Sequence, residues 1–151
     1  MNPQSVNQKN TPQMDIEARI LTLRIIWVAL LMSVVIDYVI TVFVARPQDV
    51  APNPALSIGL ICVAMLAVLI SFLIKNRLLS KAEEQRNLGM VQQAYVVTWA
   101  ITEVAALLGL LDYFTTADRY HHALFIIAAV GLLFHFPRRE SVVNAAFKNS
   151  F

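Results

Sequence analysis

The sequence predicts an all-α fold: an integral membrane four-helix bundle built from two transmembrane hairpins. Hydrophobic residues make up 58% of the 151 residues and charged residues only 15%, against roughly 45–50% and about 25% in ordinary soluble domains. The apolar residues fall in four long runs separated by short polar segments. Because a soluble domain of this length still exposes about 30% of its unfolded surface, we expect the excess apolar surface to face lipid.

The elements follow in order along the chain. Residues 1–18 are rich in Asn, Gln, Ser and Pro and are predicted to form a disordered cytoplasmic tail. Residues 19–136 form the predicted membrane domain, with spans at 25–45, 54–74, 91–114 and 120–136. About 20 residues cross a hydrocarbon core of roughly 30 Å, so the fourth run is at the short end of the range. Residues 137–151 are predicted to be a cytoplasmic tail whose apolar residues, at helical spacing, lie at the membrane interface.

The distribution of basic residues predicts the orientation. Of the 12 Lys and Arg residues, ten lie before the first span, in segment 75–89 or after the fourth run. Only Arg46 and Arg119 lie in the two opposite loops. Since cytoplasmic segments carry an excess of Lys and Arg, we expect both termini in the cytoplasm. Each short opposite loop is predicted to join two adjacent antiparallel helices, and segment 75–89 to extend one or both flanking helices.

Two acids inside the predicted spans are the candidate functional residues. Asp37 and Glu103 each lie about twelve residues into their span, which is about 18 Å from the cytoplasmic boundary. An acid at that depth costs several kcal/mol unless it is protonated, paired or hydrated, and no Lys or Arg lies at matching depth. The pair therefore predicts a neutral acid or a shared proton. It either binds a proton or Na+, or supplies hydrogen bonds between helices or subunits.

Polar and small residues near these acids predict the face on which they lie. In the first span, polar residues recur every four positions, which places them on one face of a helix. In the third span, small residues and threonines form rows that let helix backbones approach closely. The predicted supporting residues are Ser33, Thr41, Thr98, Thr102, Ala106 and Gly109. Together they predict a polar seam between the first and third spans.

Other chemistries have weaker support in the sequence. His121 and His122 are predicted to be solvated at the membrane edge, and His135 to lie at headgroup level. Two adjacent histidines on a helix do not face one metal ion, so no metal and no cofactor are predicted. The sequence holds no phosphate-binding glycine loop, HExxH or GxSxG motif, and its basic residues form no continuous face for nucleic acid. A membrane enzyme is therefore only a third hypothesis.

One segment and the chain as a whole carry resemblances. The segment from Ala100 to Leu110 (AITEVAALLGL) resembles the ion-binding helix of proteolipid rotor-ring subunits of rotary ATPases, in which a membrane Glu precedes small residues and a glycine. This resemblance covers about ten residues and implies that Glu103 is an ion carrier, although the glycine-rich first helix of those proteins is missing. The whole chain, including the Phe136-Pro-Arg-Arg-Glu140 segment, looks like small four-span bacterial membrane proteins of uncharacterised function. That resemblance implies the bacterial inner membrane.

Two functional hypotheses follow. The first is a multi-pass inner-membrane protein that acts as a structural or accessory component of a membrane assembly, either as a homo-oligomer or with another membrane protein. The alternative is a small proton- or cation-handling protein that uses Asp37 and Glu103.

Overall fold

A computed structural model describes residues 11–45, 50–116 and 118–146, which are helical and contain no β-strand. The five helices are α1 (Thr11–Phe43), α2 (Pro54–Glu84), α3 (Leu88–Thr115), α4 (His121–Phe134) and α5 (Arg139–Ala146). The predicted all-α class is confirmed. Three helices, α1 to α3, are long and apolar enough to cross a membrane, whereas α4 is a shorter apolar helix.

The long helices extend well beyond the apolar runs. Helix α1 has 33 residues and α2 has 31, so they measure about 50 and 46 Å at 1.5 Å per residue. Helix α2 continues through most of segment 75–89 to Glu84, and α3 begins at Leu88. The side chain of Asn87 caps α3 by accepting hydrogen bonds from the backbone N–H groups of Gly89 and Met90. The prediction that this charged segment extends the flanking helices is confirmed.

Helix α3 is the centre of the bundle. It contacts each of the other four helices, while α1 and α2, over their described residues, do not contact each other. Since α1 and α2 both pack against α3 and α4, they lie on opposite sides of the α3–α4 pair. The prediction that α1 and α2 form a hairpin of adjacent helices is therefore wrong. The chain from Val44 to Asn53 can extend about 33 Å, far enough to pass a helix about 10 Å wide.

Glycines allow α3 and α4 to occupy the centre. A Cβ atom added to Gly131 of α4 would lie 2.6 Å from Cγ2 of Thr102 on α3 and 3.3 Å from Cγ2 of Val68 on α2. A Cβ atom on Gly109 of α3 would lie 3.0 Å from Cε2 of Phe125 on α4. Close backbone approach of this kind is the main source of packing energy between helices in lipid.

The two ends of the described chain pack together. Helix α1 begins at Thr11, which corrects the predicted tail: its last residues are helical, and residues 1–10 lie outside the described chain. Ile16 and Ile20 are buried in the same apolar cluster as Val142 of α5. Because α5 gives the start of α1 an apolar partner, the helix persists into a segment of polar composition. Helix α5 falls in the predicted interfacial tail, of which residues 147–151 lie outside the description.

Candidate functional site

The two predicted acids lie on α1 and α3, which pack against each other. Asp37 and Glu103 are both half-buried, and the charge of Glu103 acts on Asp37. Both lie in helices that are long and apolar enough to cross a membrane. The structure thus brings together two residues that are 66 positions apart in the chain. We call them the carboxyl pair.

Glu103 lies at the boundary between the bundle interior and its outer surface. Residues three or four positions away in a helix are its neighbours on the surface of that helix. Of these, Trp99 and Ala106 are fully buried, whereas Ala100 and Leu107 are exposed. The carboxyl group of Glu103 is therefore placed where a molecule beside the bundle can contact it.

Asp37 takes its position from the way α1 packs into the groove between α3 and α4. Val34, one turn before it, is buried, and Thr41, one turn after it, is also buried. The ring of Tyr38 packs edge-on against Phe125 of α4, with 5.5 Å between ring centroids. Tyr38 therefore faces α4, and its neighbour Asp37 faces α3.

The carboxyl pair has no basic partner within the described residues. In residues 11–45, 50–116 and 118–146, no Lys, Arg or His forms an ion pair with Asp37 or Glu103, and neither acid accepts a hydrogen bond. The same part of the chain holds no group of three or more His, Cys, Asp or Glu residues that could bind a metal ion. The chemistry left to the pair is to share one proton or monovalent cation, or to accept hydrogen bonds from another molecule.

The supporting residues lie in or beside the core, but their hydroxyl groups are used locally. Ser33 is half-buried, and the buried members are Thr41, Thr98, Thr102, Ala106 and Gly109. The hydroxyls of Thr41, Thr98 and Thr102 donate to backbone carbonyls one turn earlier in their own helices, at 2.6, 2.9 and 2.8 Å. Thr102 and Gly109 contact α4 rather than α1. Of the predicted seam between α1 and α3, the structure therefore shows the carboxyl pair, and none of these three threonine hydroxyls bonds across the interface.

Sequence reasoning missed a third acid, Asp112, in the last turn of α3. Its side chain is fully buried. Its Oδ1 atom accepts hydrogen bonds from Ser57 Oγ at 2.7 Å and from Thr116 Oγ1 at 3.0 Å. We call these three residues the Asp112 cluster. The signal was available, because Asp112 is an acid inside the predicted span 91–114.

A second buried polar group lies at the end of α4. His135 is fully buried within the bundle, and its depth at headgroup level stays a prediction. Its Nδ1 atom lies 2.7 Å from the carbonyl of Gly131, so Nδ1 carries a hydrogen, and its Nε2 atom lies 3.1 Å from Ser71 Oγ. The indole N–H of Trp99 donates to the His135 carbonyl at 3.0 Å, and that of Trp27 donates to the Leu132 carbonyl at 2.8 Å. The Trp99 indole thus supplies a donor to the carbonyl of the residue that ends α4, and the Trp27 indole adds a second donor to the Leu132 carbonyl, which also accepts from the backbone N–H of His135.

The two histidines at the start of α4 differ from each other. His122 is exposed, as predicted, but His121 is buried and its ring packs against that of Tyr113 at 5.2 Å. The predicted solvation of His121 is therefore wrong. The hydroxyl of Tyr113 donates to the Val44 carbonyl at 2.6 Å, which ties the end of α1 to α3. Since Tyr113 belongs to α3, the contact between its ring and that of His121 packs α3 against the start of α4 and excludes solvent from both rings.

Comparison of the chain with protein-family models, with curated proteins and with solved structures found no match. The long apolar helices suggest a membrane protein, and its role has to be argued from the site.

Proposed function

We propose that the chain is a multi-pass protein of the bacterial inner membrane that serves as a structural or accessory component of a membrane assembly and is not an enzyme. The observation that carries this proposal is the carboxyl pair: Asp37 and Glu103 lie together, half-buried and without a basic partner in the described residues. Intramembrane acids are rare because each costs several kcal/mol unless it is paired. A neighbouring protein that supplies the pairing group recovers this cost as binding energy.

The proposed topology has four spans, with both termini in the cytoplasm. Helix α4 has 14 residues, or about 21 Å, which is less than the roughly 30 Å of the hydrocarbon core. The indole donors of Trp27 and Trp99 support its role as a span, because that of Trp99 satisfies the His135 carbonyl and that of Trp27 adds a donor to the Leu132 carbonyl near the end of α4. The excess of Lys and Arg in the tails and in segment 75–89 supports the orientation. Reporter fusions in the two short loops and at both termini test it.

The partner that fits the carboxyl pair is a transmembrane helix that bears a Lys, Arg or other hydrogen-bond donor. Such a helix would lie along the edge of α1 and α3, where Glu103 borders the exposed residues Ala100 and Leu107. A donor at this depth satisfies the carboxyl oxygens in a medium that offers no water. A second copy of the chain fits less well, since the described surface beside the pair offers mainly apolar side chains.

Affinity purification tests this function. The tagged full chain is extracted in a mild detergent, and the membrane proteins that copurify are identified by mass spectrometry. Asp37→Asn and Glu103→Gln are expected to reduce the amount of the copurifying partner roughly tenfold or more, because breaking a buried charge pair costs about 2–5 kcal/mol. Glu84→Gln is the matched control, since Glu84 is an exposed acid outside the apolar part of α2. The proposal is wrong if wild type yields no membrane partner, or if both pair variants retain it.

A second candidate function is proton or cation handling, which the electrostatic interaction between the two carboxyls favours. Two acids whose charges interact can share one proton or one Na+. Carbodiimide labelling of Glu103 separates this function from the first, because the reagent reacts with a protonated carboxyl. An ion site predicts labelling that falls as the pH rises and that Na+ suppresses, with the sodium effect lost in Asp37→Asn. Labelling that is indifferent to both pH and Na+ excludes this function.

A further inference from the structure

The Asp112 cluster is a group of oxygen atoms where α2 begins and α3 ends. Ser57, Asp112 and Thr116 are all fully buried. Besides the two hydrogen bonds to Asp112 Oδ1, Ser57 Oγ lies 3.3 Å from Thr116 Oγ1. Two backbone carbonyls adjoin the hydroxyls: that of Asn53, 3.5 Å from Ser57 Oγ, and that of Asp112, 3.0 Å from Thr116 Oγ1. The cluster therefore gathers carboxylate, hydroxyl and carbonyl oxygens.

One atom of the cluster has no partner. Asp112 Oδ2 is buried and takes part in no hydrogen bond, although buried polar atoms in native proteins are almost always bonded. If Asp112 is ionised, its charge is buried at the C-terminal end of α3, where the helix dipole disfavours an anion. In the described part of the chain, no Lys or Arg pairs with it.

Protonation of Asp112 does not complete the cluster either. Because Oδ1 already accepts hydrogen bonds from Ser57 and Thr116, the acid proton would sit on Oδ2. There it would be a buried donor without an acceptor, which costs about 1–3 kcal/mol. When Asp112 is ionised, the cluster lacks a positive partner at Oδ2; when it is protonated, the cluster lacks an acceptor for the Oδ2 proton.

We propose that the Asp112 cluster binds one monovalent cation of the size of Na+, with Asp112 Oδ2 as the charged ligand and the hydroxyl oxygens of Ser57 and Thr116 as neutral ligands. Hard oxygen donors select hard cations, and a single carboxylate balances a single positive charge. Ca2+ takes six to eight oxygen ligands, commonly with several carboxylates, which the cluster does not provide. Carbonyl groups at helix ends coordinate Na+ in membrane transporters, and the cluster lies at such an end.

This site is independent of the carboxyl pair and of the proposed assembly function. Bound Na+ would connect the first turn of α2 to the last turn of α3, two segments held together in the described structure by the bonds to Asp112 Oδ1. Its effect is therefore expected on the stability of the bundle. A ligand that binds only the folded protein raises the midpoint of unfolding as its concentration rises.

Thermal unfolding of the full chain in detergent tests the site. Unfolding is followed in NaCl and in choline chloride at equal ionic strength. At a Na+ concentration ten times the Kd, we expect the Tm of wild type to rise by roughly 3–6 °C. Asp112→Asn, which keeps the shape of the side chain but not its charge, is expected to lose this shift. KCl is expected to give less than half of it, and an equal shift would overturn the assignment of size.

Two further comparisons keep the test decisive. Thr116→Val removes the hydroxyl and should abolish the Na+ shift in Tm, whereas Thr116→Ser retains the hydroxyl and should retain the shift. If Asp112→Asn does not fold, these two variants decide whether the cluster binds Na+. Asp37→Asn should also keep the shift. A shift that survives in Asp112→Asn but disappears in Asp37→Asn would place the ion at the carboxyl pair and overturn the proposal. So would a wild-type protein whose Tm is the same in NaCl and choline chloride.

Discussion

Replacement of Gly131 by alanine tests the close packing of α3 against α4. The new Cβ atom would lie 2.6 Å from Cγ2 of Thr102, well inside van der Waals contact, and 3.3 Å from Cγ2 of Val68. Thr102 has little freedom to move, because its side chain is fully buried and its hydroxyl donates to the Thr98 carbonyl at 2.8 Å. The added methyl group must therefore separate the helices or break that hydrogen bond.

The expected loss of stability follows from two contributions that destabilise Gly131→Ala and one that stabilises it. Overpacking of a well-filled core costs about 1–3 kcal/mol, and loss of a hydrogen bond costs about 1 kcal/mol. Against these, alanine is favoured over glycine within a helix by about 1 kcal/mol. We expect Gly131→Ala to lower the free energy of unfolding by about 1–3 kcal/mol. Gly59→Ala, where nothing lies within 4 Å of the added Cβ, should instead raise it by up to about 1 kcal/mol.

Titration of the purified full chain from mild detergent into SDS measures both free energies of unfolding. A double variant supplies the sharper test: Thr102→Ser removes the obstructing Cγ2 atom and keeps the hydroxyl. In the Gly131→Ala background it is expected to recover at least half of the lost stability. The packing argument is refuted if Gly131→Ala is as stable as Gly59→Ala, or if Thr102→Ser gives no recovery.

Three further predictions concern the polar contacts of the bundle. Trp99→Phe removes the donor to the buried His135 carbonyl and should lower the free energy of unfolding in the same titration by about 1–3 kcal/mol; an unchanged value would show that the carbonyl finds another donor. Tyr113→Phe removes the hydrogen bond to the Val44 carbonyl and should cost about 1 kcal/mol, while Tyr120→Phe, at an exposed residue, should cost nothing measurable. Asp37→Asn should raise the Tm of the isolated protein in detergent, because it removes the repulsion from Glu103. A fall in Tm would contradict the conclusion that Asp37 and Glu103 lack a stabilising partner.

The helices themselves could be predicted from the sequence, but most of their packing could not. Apolar runs of sufficient length predict helices because lipid offers no partner for an unpaired backbone. In a soluble helix, large apolar residues then mark the buried face. On α2 they are exposed instead: Leu66, Leu69 and Leu73 are exposed, whereas the buried residues of α2 include Ser57, Ala64 and Ser71, spaced seven apart. The signal for burial on α2 is small size, which hydrophobicity does not reveal.

The candidate site shows the same limits. Equal depth in two parallel spans was enough to predict that Asp37 and Glu103 would lie at a similar level, and the structure places them in electrostatic contact. Asp112 was overlooked because the comparison of depths considered one acid in each span. The burial of His135 could not be inferred, since it depends on α4 ending at Phe134 and leaving carbonyl groups that need donors.

The separation of α1 from α2 also constrains how the protein is made. In the proposed membrane topology, the first two helices make no native contact with each other, so before α3 is made each would lie in the bilayer as an independent segment. During that interval Asp37 would face lipid or the insertion machinery, until α3 entered the membrane. A nascent chain stalled near Glu84 should therefore stay sensitive to proteases and quality control, and commitment to the native bundle belongs to the second half of synthesis.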